Sequence, residues 1–251
     1  MKDGHKREIL YGVHPVMAAL AAGRRTVYAI YVTGSERNKK HPDPVRGRAA
    51  EIGVPVIVTS GDQLKRMTGS DAHQGVAAEV GRYPLSALDD VPAIKAVSGD
   101  TFLLIADGIL DPHNLGALIR TGACAGVDAV IIPGDNAASP TPAVSKASAG
   151  TMESMRIVRE TNIARTIDRL KESGIWVAGL DRSGGVSLYD ADLTGPMALV
   201  IGGEDRGVRR LVREKCDWIV AIPQKDDVNS LNASVAGGIA MYEIVRQRRN
   251  K

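Results

Sequence analysis

The chain has 251 residues, 44% hydrophobic and 24% charged, which is typical of a globular protein and long enough for one large α/β domain or two smaller ones. Aromatic residues make up only 4%, so the core must be aliphatic, and RNA binding through platforms of stacked bases is disfavoured. The net charge is +3, but basic residues cluster near both ends and around residues 37–48, which suits a phosphate backbone or an ordinary solvated surface.

The first 80 residues alternate between strand and helix signals. The pattern predicts a short apolar lead at 9–12, a helix at 16–22, a strand at 27–32, a basic helical region at 36–52, a strand at 54–58, a helix at 61–68 and a strand at 76–80. This run predicts a compact N-terminal domain over residues 1–80. Residues 81–98 carry Pro84, Pro92 and a weak helical signal over 85–97, and they predict a linker.

The alternation becomes strict from Thr101 onwards. Strands are predicted at 102–106, 128–132, 155–158, 175–180, 197–201 and 218–222, and helices at 114–125, 143–150, 162–173, 207–214 and 233–249. Regular alternation of this kind predicts an α/β domain over residues 99–251, with a largely parallel sheet covered on both faces.

Three of these strands run into polar loops. Phe102–Ala106 is followed by D-G-I-L-D-P-H-N-L-G-A-L-I-R, Leu199–Ile201 by G-G-E-D-R-G, and Ile219–Pro223 by a loop ending S-L-N-A-S. Because open α/β sheets bind ligands at the carboxyl ends of their strands, we expect the three loops to share one crevice. The candidate site residues in them are Asn114, Arg120, Glu204, Ser230 and Asn232.

The same residues also have structural interpretations. Asn114 stands at a predicted helix start and suits an N-cap, and Arg120 suits a surface ion pair. The pair Gly202-Gly203 can let a ligand approach the backbone closely, or it can form a tight turn in which Glu204 caps the next helix. Both interpretations stay open at this level.

The last helix is predicted to carry an apolar stripe, and one of the polar residues before it is expected to cap it. The stripe consists of Val235, Ile239, Tyr242 and Val245. Beside it, Gly237-Gly238 forms a notch that permits close packing, either within the subunit or against a second copy.

Together the three segments resemble the three ordered motifs of the SpoU (TrmH-type) RNA ribose 2′-O-methyltransferases. The resemblance is carried by D-P-H-N-L-G-A-L-I-R-T-G-A-C-A-G-V, I-G-G-E-D-R-G-V-R-R and I-P-Q-K-D-D-V-N-S-L-N-A-S-V-A. Near the N-terminus, Y-G-V-H-P-V and H-Q-G-V-A-A-E resemble the small α/β RNA-binding domain of the branch that methylates a guanosine of 23S ribosomal RNA.

The resemblance implies a homodimer whose C-terminal α/β domain is threaded into a trefoil knot that forms the S-adenosylmethionine pocket. Cofactor contacts would fall on Gly202, Ile222 and Leu231, largely through backbone atoms. The functional polar residues would fall on Asn114, Arg120, Glu204, Ser230 and Asn232. The pocket loop departs from the usual I-P-M pattern, because Gln224 is more polar and Asp226 stands where glycine is common.

The implied chemistry is methyl transfer to a ribose 2′-hydroxyl. Arg120 would hold the adjacent phosphate and lower the pKa of the hydroxyl, while Asn114 would orient Arg120 or the ribose. Glu204 would hold Arg120 or the substrate, and Ser230 and Asn232 would bind ribose or guanine edges or shape the loop.

Two other functions remain open beside 23S rRNA methylation: methylation of transfer RNA ribose by an enzyme of the same family, and non-catalytic RNA binding during ribosome assembly. Neither the two cysteines nor the five histidines show metal-ligand spacing, and no apolar run approaches the ~20 residues that span a membrane. We therefore expect a cytoplasmic protein with no metal.

Overall fold

The computed structural model describes residues 7–34, 44–204, 206–225 and 230–250. The strands are β1 Glu8–Tyr11, β2 Val27–Thr33, β3 Val56–Thr59, β4 Val76–Val80, β5 Phe102–Asp107, β6 Ala129–Pro133, β7 Ile157–Glu160, β8 Trp176–Leu180, β9 Val186–Ser187, β10 Met197–Gly202 and β11 Trp218–Ala221. The helices are α1 Val13–Ala22, α2 Pro44–Glu51, α3 Gly61–Thr68, α4 Pro92–Lys95, α5 Pro112–Ala125, α6 Pro142–Ala147, α7 Ile163–Glu172, α8 Arg210–Lys215 and α9 Ala233–Arg249.

The chain divides into two compact units. The first consists of Met1–Pro84 and Pro140–Ser154, and the second of Leu85–Ser139 and Met155–Lys251. The predicted boundaries, 1–80, 81–98 and 99–251, assign residues 140–154 differently, and which segments fold independently stays a prediction.

The first unit is built on a four-stranded sheet of order β1-β4-β2-β3. Strand β4 is antiparallel to both β1 and β2, whereas β2 and β3 are parallel. Helix α1 buries Val16, Ala19 and Leu20, which recur at helical spacing, in a core with Leu10 and Ile30 of the sheet. An aliphatic core of this kind is what the scarcity of aromatic residues predicts.

The segment 140–154 is tied to α1 and to a buried arginine of the first unit. Gly150 lies against α1 so closely that a Cβ there would be 2.7 Å from the carbonyl oxygen of His14. The Arg25 side chain is 1% exposed and pairs with Glu153, which is fully buried, at 3.2 Å. Glu153 also accepts a hydrogen bond of 2.7 Å from Ser145 Oγ. A buried charge needs such a partner, so this contact fixes the segment in the first unit.

The second unit is built on a seven-stranded sheet of order β7-β6-β5-β10-β8-β11-β9, and every strand pair in it is parallel. The central strand β5 is buried along its whole length, as expected of a parallel strand covered on both faces. Helix α7 shows how the covering helices form. Asn162 caps it by accepting from the Arg165 backbone N–H, and Ile163, Ile167 and Leu170 lie on one face and are buried in the core. The predicted α/β fold is confirmed.

The predicted strands of the second unit are present with bounds shifted by at most two residues. Three details differ. The short edge strand β9 was not predicted, because two residues carry no periodicity. The helical signal over 85–97 forms only α4 and a 3-10 turn at Leu88–Asp90. Helix α8 begins at Arg210 and not at Gly207, because the preceding residues are held in a loop. No helix in the described ranges has the length and apolar character to cross a membrane.

Candidate functional site

The three predicted loops leave the same edge of the second unit's sheet. Strands β5 and β10 are neighbours, with Asp107 opposite Gly202, and β11 lies beyond β8 on the other side of β10. Because all three strands are parallel, their carboxyl ends point the same way, and the loops that follow them can meet. The expectation of a shared crevice is confirmed by contacts between the loops.

Three of the five candidate polar residues form one hydrogen-bonded chain. The Asn114 side-chain amide donates to Glu204 Oε1. Asn232 Nδ2 donates to Asn114 Oδ1 over 3.0 Å. Asn114 is 9% exposed, whereas Glu204 and Asn232 are exposed at the surface of the crevice. The motifs after β5, β10 and β11 are therefore linked through the side chain of Asn114.

The direction of these bonds follows from the carboxylate. An ionised Glu204 can only accept, so the Asn114 Nδ2 must face it and the Asn114 Oδ1 must face Asn232. Asn232 then has its Oδ1 left, which accepts from the backbone N–H groups of Ser234, at 2.9 Å, and Val235, at 3.3 Å. Asn232 is thus the expected cap of the last helix and a member of the site at once.

Helix α5 is capped by Asp111 and not by Asn114. Asp111 accepts from the His113 backbone N–H over 2.9 Å and is the N-cap, while Asn114 lies inside the first turn. The N-cap interpretation of Asn114 is therefore wrong, because Asp111 already occupies that position. The Asn114 side chain is left available for Glu204 and Asn232.

Arg120 lies on the exposed side of α5. Its side chain forms no hydrogen bond or ion pair with any residue in the described part of the chain, so the alternative role of a surface ion pair is not seen there. Asn114 and Glu204 hold each other, and neither is bonded to Arg120. The structure thus brings Asn114, Glu204 and Asn232 together and leaves the Arg120 guanidinium open to a ligand.

The loop after β10 is fixed by a buried carboxylate. Asp107 is fully buried, and its Oδ2 accepts from the Arg209 backbone N–H over 3.0 Å. The Asp107 Oδ1 accepts from Arg209 Nε over 2.7 Å. A side chain and a backbone group of the same residue are thereby clamped, and this clamp closes the loop that carries Glu204.

The two glycines of this loop are required by the chain's own backbone. A Cβ on Gly202 would lie 2.0 Å from the carbonyl carbon of Gly207, and a Cβ on Gly203 would lie 2.3 Å from the carbonyl oxygen of Gly108. Of the two interpretations of this pair, the tight turn accounts for the need for glycine, since the backbone fills the space that a Cβ would take. Gly207 closes the turn with a φ of 61°, which glycine adopts without strain.

A cavity of about 280 Å³ opens beside this loop. Its lining residues are Leu180, Asp181, Arg182, Ile201, Gly202, Gly203, Glu204, Arg206, Gly207, Ile222, Gln224, Ser230, Leu231, Ala233 and Ala236. All three expected cofactor contacts, Gly202, Ile222 and Leu231, are among them, together with Ser230. We call it the strand-end cavity. Asp226 of the atypical loop lies outside the described residues.

The atypical Gln224 leaves a polar atom without a partner. Its Oε1 is buried and accepts no hydrogen bond from the residues that the structure describes. A buried acceptor without a donor costs free energy until a donor reaches it. Gln224 therefore contributes an unsatisfied hydrogen-bond acceptor to the wall of the strand-end cavity.

A second cavity, of about 370 Å³, shares part of its wall with the first. It is lined by Asp107, Gly108, Leu110, Asn136, Gly203, Glu204, Arg206, Gly207 and Arg209. Glu204 lines both cavities, so one carboxylate can contact the occupants of both.

Sequence reasoning missed Asp107, Arg209 and Asp181 as parts of the site. A signal existed for Asp107, because a carboxylate that ends an otherwise apolar buried strand must find a partner. Asp181 carried a similar signal, because it directly follows the strand β8. No local signal pointed to Arg209, since its role depends on a contact with Asp107 from 102 positions away. Within the described ranges, no group of three or more His, Cys, Asp or Glu side chains could hold a metal ion.

Comparisons with known proteins agree with this geometry. Residues 101–242 match the model of the SpoU rRNA Methylase family, and residues 9–86 match that of the RNA 2′-O ribose methyltransferase substrate binding domain. The chain is 39% identical over 245 residues to a 23S rRNA (guanosine-2′-O-)-methyltransferase RlmB from Shewanella oneidensis, covering 98% of this chain and 99% of that protein. It is 41% identical over 241 residues to the RlmB of Photorhabdus laumondii, covering 96% and 98%.

Solved structures give the same answer for the fold. The SpoU methyltransferase AviRb from Streptomyces viridochromogenes, in complex with the cofactor AdoMet, aligns with a TM-score of 0.83 and 26% identity. The alignment covers 97% of this chain and 91% of that one.

Proposed function

The chain belongs to the SpoU rRNA methylase family, and from that premise we propose that it methylates the ribose 2′-hydroxyl of a guanosine in 23S ribosomal RNA. S-adenosylmethionine is the methyl donor of the family, and AviRb has been solved with it. The observation that carries the proposal is the chain of bonds from Asn232 through Asn114 to Glu204 at the wall of the strand-end cavity.

The strand-end cavity suits this cofactor in size and chemistry. Its volume of about 280 Å³ is near the lower end of the ~300–1,000 Å³ typical of small-molecule sites. Leu180, Ile201, Ile222 and Leu231 give it apolar walls for a purine, and Gln224 Oε1 lacks a hydrogen-bond donor that a purine amino group would supply. We place the cofactor there, with Gly202, Ile222 and Leu231 as contacts. The trefoil knot expected around this pocket stays a prediction.

The cofactor supplies an activated methyl group, so the protein's task is to position the 2′-oxygen and stabilise the charge that develops on it. Arg120 is exposed on α5, and no hydrogen bond or ion pair to a described residue competes for its guanidinium. An arginine stays protonated and cannot serve as the base. Arg120 would instead hold the neighbouring phosphate with two N–H groups and lower the pKa of the hydroxyl, and the proton would leave to that phosphate or to water.

Glu204 would contact the ribose of the target nucleotide from its position between the two cavities. Asn114 donates to the carboxylate, and Asn232 donates to Asn114. Asn232 in turn is fixed by backbone N–H groups of the first turn of α9. Glu204 thus needs no large rearrangement when RNA binds, which is the condition for electrostatic catalysis. Ser230 would bind the ribose or the base edge. The second cavity, with Arg206 and Arg209 in its wall, suits the rest of the target nucleotide.

The exposed face of α9 supports a homodimer. Val235 and Tyr242 are each 50% exposed, so part of the predicted apolar stripe is open to a partner. Gly238 is partly exposed beside them, whereas a Cβ on Gly237 would lie 2.4 Å from Leu118 and belongs to packing within the subunit. The two glycines of the notch therefore serve different contacts, and Gly238 is the one available to a second copy.

Methylation of 23S rRNA is favoured over methylation of transfer RNA by the N-terminal region. Residues 9–86 match a substrate-binding domain, and the two relatives described above, which cover nearly the whole chain, are 23S rRNA enzymes. The bonded set Asn114, Glu204 and Asn232 argues against a non-catalytic assembly factor, which would have no need of it. A substrate of this kind agrees with the expected cytoplasmic location.

Mapping of 2′-O-methyl groups on ribosomal RNA tests the proposal. Cells that lack the protein should lose one methyl group on a 23S guanosine, and the wild-type gene should restore it. A restored methyl group on transfer RNA instead would transfer the assignment to the alternative substrate. An unchanged map of both RNAs would contradict the catalytic function.

A further inference from the structure

Asp181 is a carboxylate in the wall of the strand-end cavity that the proposed mechanism does not use. It follows β8 directly, at the same sheet edge as the three motifs, and its side chain is 18% exposed. Leu180, the residue before it, gives the same cavity an apolar wall. Asp181 therefore places a carboxylate next to an apolar part of the cavity wall.

The two oxygens of Asp181 are in different situations. Oδ1 accepts from the Ser183 backbone N–H over 2.9 Å and from Ser183 Oγ over 2.6 Å, and it lies 3.1 Å from an Arg213 guanidinium nitrogen. Oδ2 accepts no hydrogen bond from the described residues. It lies 3.0 Å from the position that a Cβ on Gly207 would take, beside another wall residue of the cavity. One oxygen fixes the side chain, and the other is available to a ligand.

The charge of Asp181 is retained at neutral pH and is already compensated. Burial by itself would raise the pKa of Asp181, but the hydrogen bonds from Ser183 and the charge of Arg213 outweigh it and lower the pKa. An ionised carboxylate only accepts, so Oδ2 requires a donor. Because Arg213 balances the negative charge, a neutral donor fits this oxygen better than a second cation would.

We propose that Asp181 Oδ2 accepts a hydrogen bond from a ribose hydroxyl of the nucleoside cofactor. The inference rests on the proposed placement of the cofactor in the strand-end cavity. A nucleoside offers two kinds of neutral donor, the amino group of its base, which is assigned to Gln224 Oε1, and the hydroxyls of its ribose. The ribose adjoins the base, which the apolar wall beside Asp181 suits. Hydrogen bonds to a charged acceptor are roughly twice as strong as neutral ones, so Asp181 would contribute much of the cofactor affinity.

The test is calorimetry on the full-length protein with four probes. S-adenosylhomocysteine carries base, ribose and amino acid; 5′-methylthioadenosine lacks the amino acid; and the 2′-deoxy and 3′-deoxy forms of 5′-methylthioadenosine each lack one hydroxyl. Asp181→Asn should weaken the first two probes alike, by about 10- to 100-fold, as expected for a hydrogen bond to a charged group. Wild-type protein should bind one of the deoxy forms more weakly by a similar factor, and Asp181→Asn should not.

Asp192 provides a matched control. Its Oδ1 accepts from the Thr194 backbone N–H over 3.0 Å and from Thr194 Oγ1 over 2.7 Å, the same local turn that Asp181 forms with Ser183. Asp192 is exposed and does not line the cavity. Asp192→Asn should therefore bind every probe as the wild type does.

The possible outcomes separate the two proposals. If wild-type protein binds S-adenosylhomocysteine but Asp181→Asn binds it equally well, the role of Asp181 is refuted and the cofactor assignment stands. A loss confined to S-adenosylhomocysteine would overturn the ribose assignment in favour of the amino-acid group. If wild-type protein binds none of the probes, the cofactor placement fails and the inference fails with it. The wild-type comparison of the deoxy forms needs no variant and tests the contact even if Asp181→Asn does not fold.

Discussion

Removal of the Glu153 carboxylate should destabilise the first unit strongly. Glu153 is fully buried and accepts from Arg25, at 3.2 Å, and from Ser145 Oγ, at 2.7 Å. In Glu153→Ala, Arg25 keeps Glu8 and the Gly81 carbonyl, but its inner side would face a space without an acceptor. The perturbation therefore leaves a charge buried with only part of its compensation.

The expected cost is about 3 kcal/mol. Removing one partner of a buried ion pair costs ~3–5 kcal/mol, and the remaining contacts of Arg25 place the value at the lower end. Typical domains have only ~5–15 kcal/mol of stability, so the loss is a large share. The surface pair Arg48–Glu51, with side chains 39% and 63% exposed, is the matched control. Glu51→Ala should cost less than about 1 kcal/mol, because exposed pairs contribute little.

Hydrogen exchange is the appropriate assay, because both tryptophans, Trp176 and Trp218, lie in the second unit and their fluorescence reports on the wrong part of the chain. Amides of β4, at the centre of the first sheet, should exchange about 100-fold faster in Glu153→Ala than in the wild type. They should be nearly unchanged in Glu51→Ala. If Glu153→Ala accelerates exchange in β4 no more than Glu51→Ala does, the argument from the buried charge is wrong.

Arg120→Ala should abolish methylation, while cofactor affinity, measured by calorimetry, stays within a few-fold of the wild type. Arg120→Lys should also methylate poorly, because an ammonium cannot donate two parallel hydrogen bonds to a phosphate as a guanidinium does. Near-normal turnover of the lysine variant would point to another activating group. Gly238→Leu should shift the protein towards monomer in sedimentation and lower activity with it, since overpacking costs ~1–3 kcal/mol and a symmetric interface suffers it twice; a fully active dimer would show that α9 faces elsewhere. Burial raises the pKa of Tyr83 to about 12, against the opposing effect of Arg24, so folding stability should fall as pH rises from the ordinary value of about 10 towards 12. Urea unfolding measures this, and the unfolding free energy of Tyr83→Phe should depend less on pH in that window than that of the wild type. An equal pH dependence of the two proteins would contradict the assignment.

Much of the second unit was predictable from the sequence because its signals are local. Apolar runs such as Phe102–Ala106 specify buried strands, and Asn162 before Ile163, Ile167 and Leu170 specifies a capped helix with one buried face. The three loop motifs identify Asn114, Glu204 and Asn232 as site candidates from the sequence alone. Local periodicity failed where elements were short, as in β9, or where a loop was held by a distant group, as at the start of α8.

The partners of these residues were decided by the tertiary structure alone. Asn114 meets Glu204 from 90 positions away, Asp107 meets Arg209 from 102, and Arg25 meets Glu153 from 128. Contacts of this range depend on which strands are neighbours in the sheet, and the order β5-β10-β8-β11 differs from the order along the chain. A polar residue that suits a cap, an ion pair or a ligand looks the same in each role until its neighbours are known. The sequence by itself therefore determined the helices, the strands and the candidate polar side chains. The packing of the sheet determined which of these side chains face each other. The reason is that a buried polar atom must pair with whichever partner the fold brings within reach.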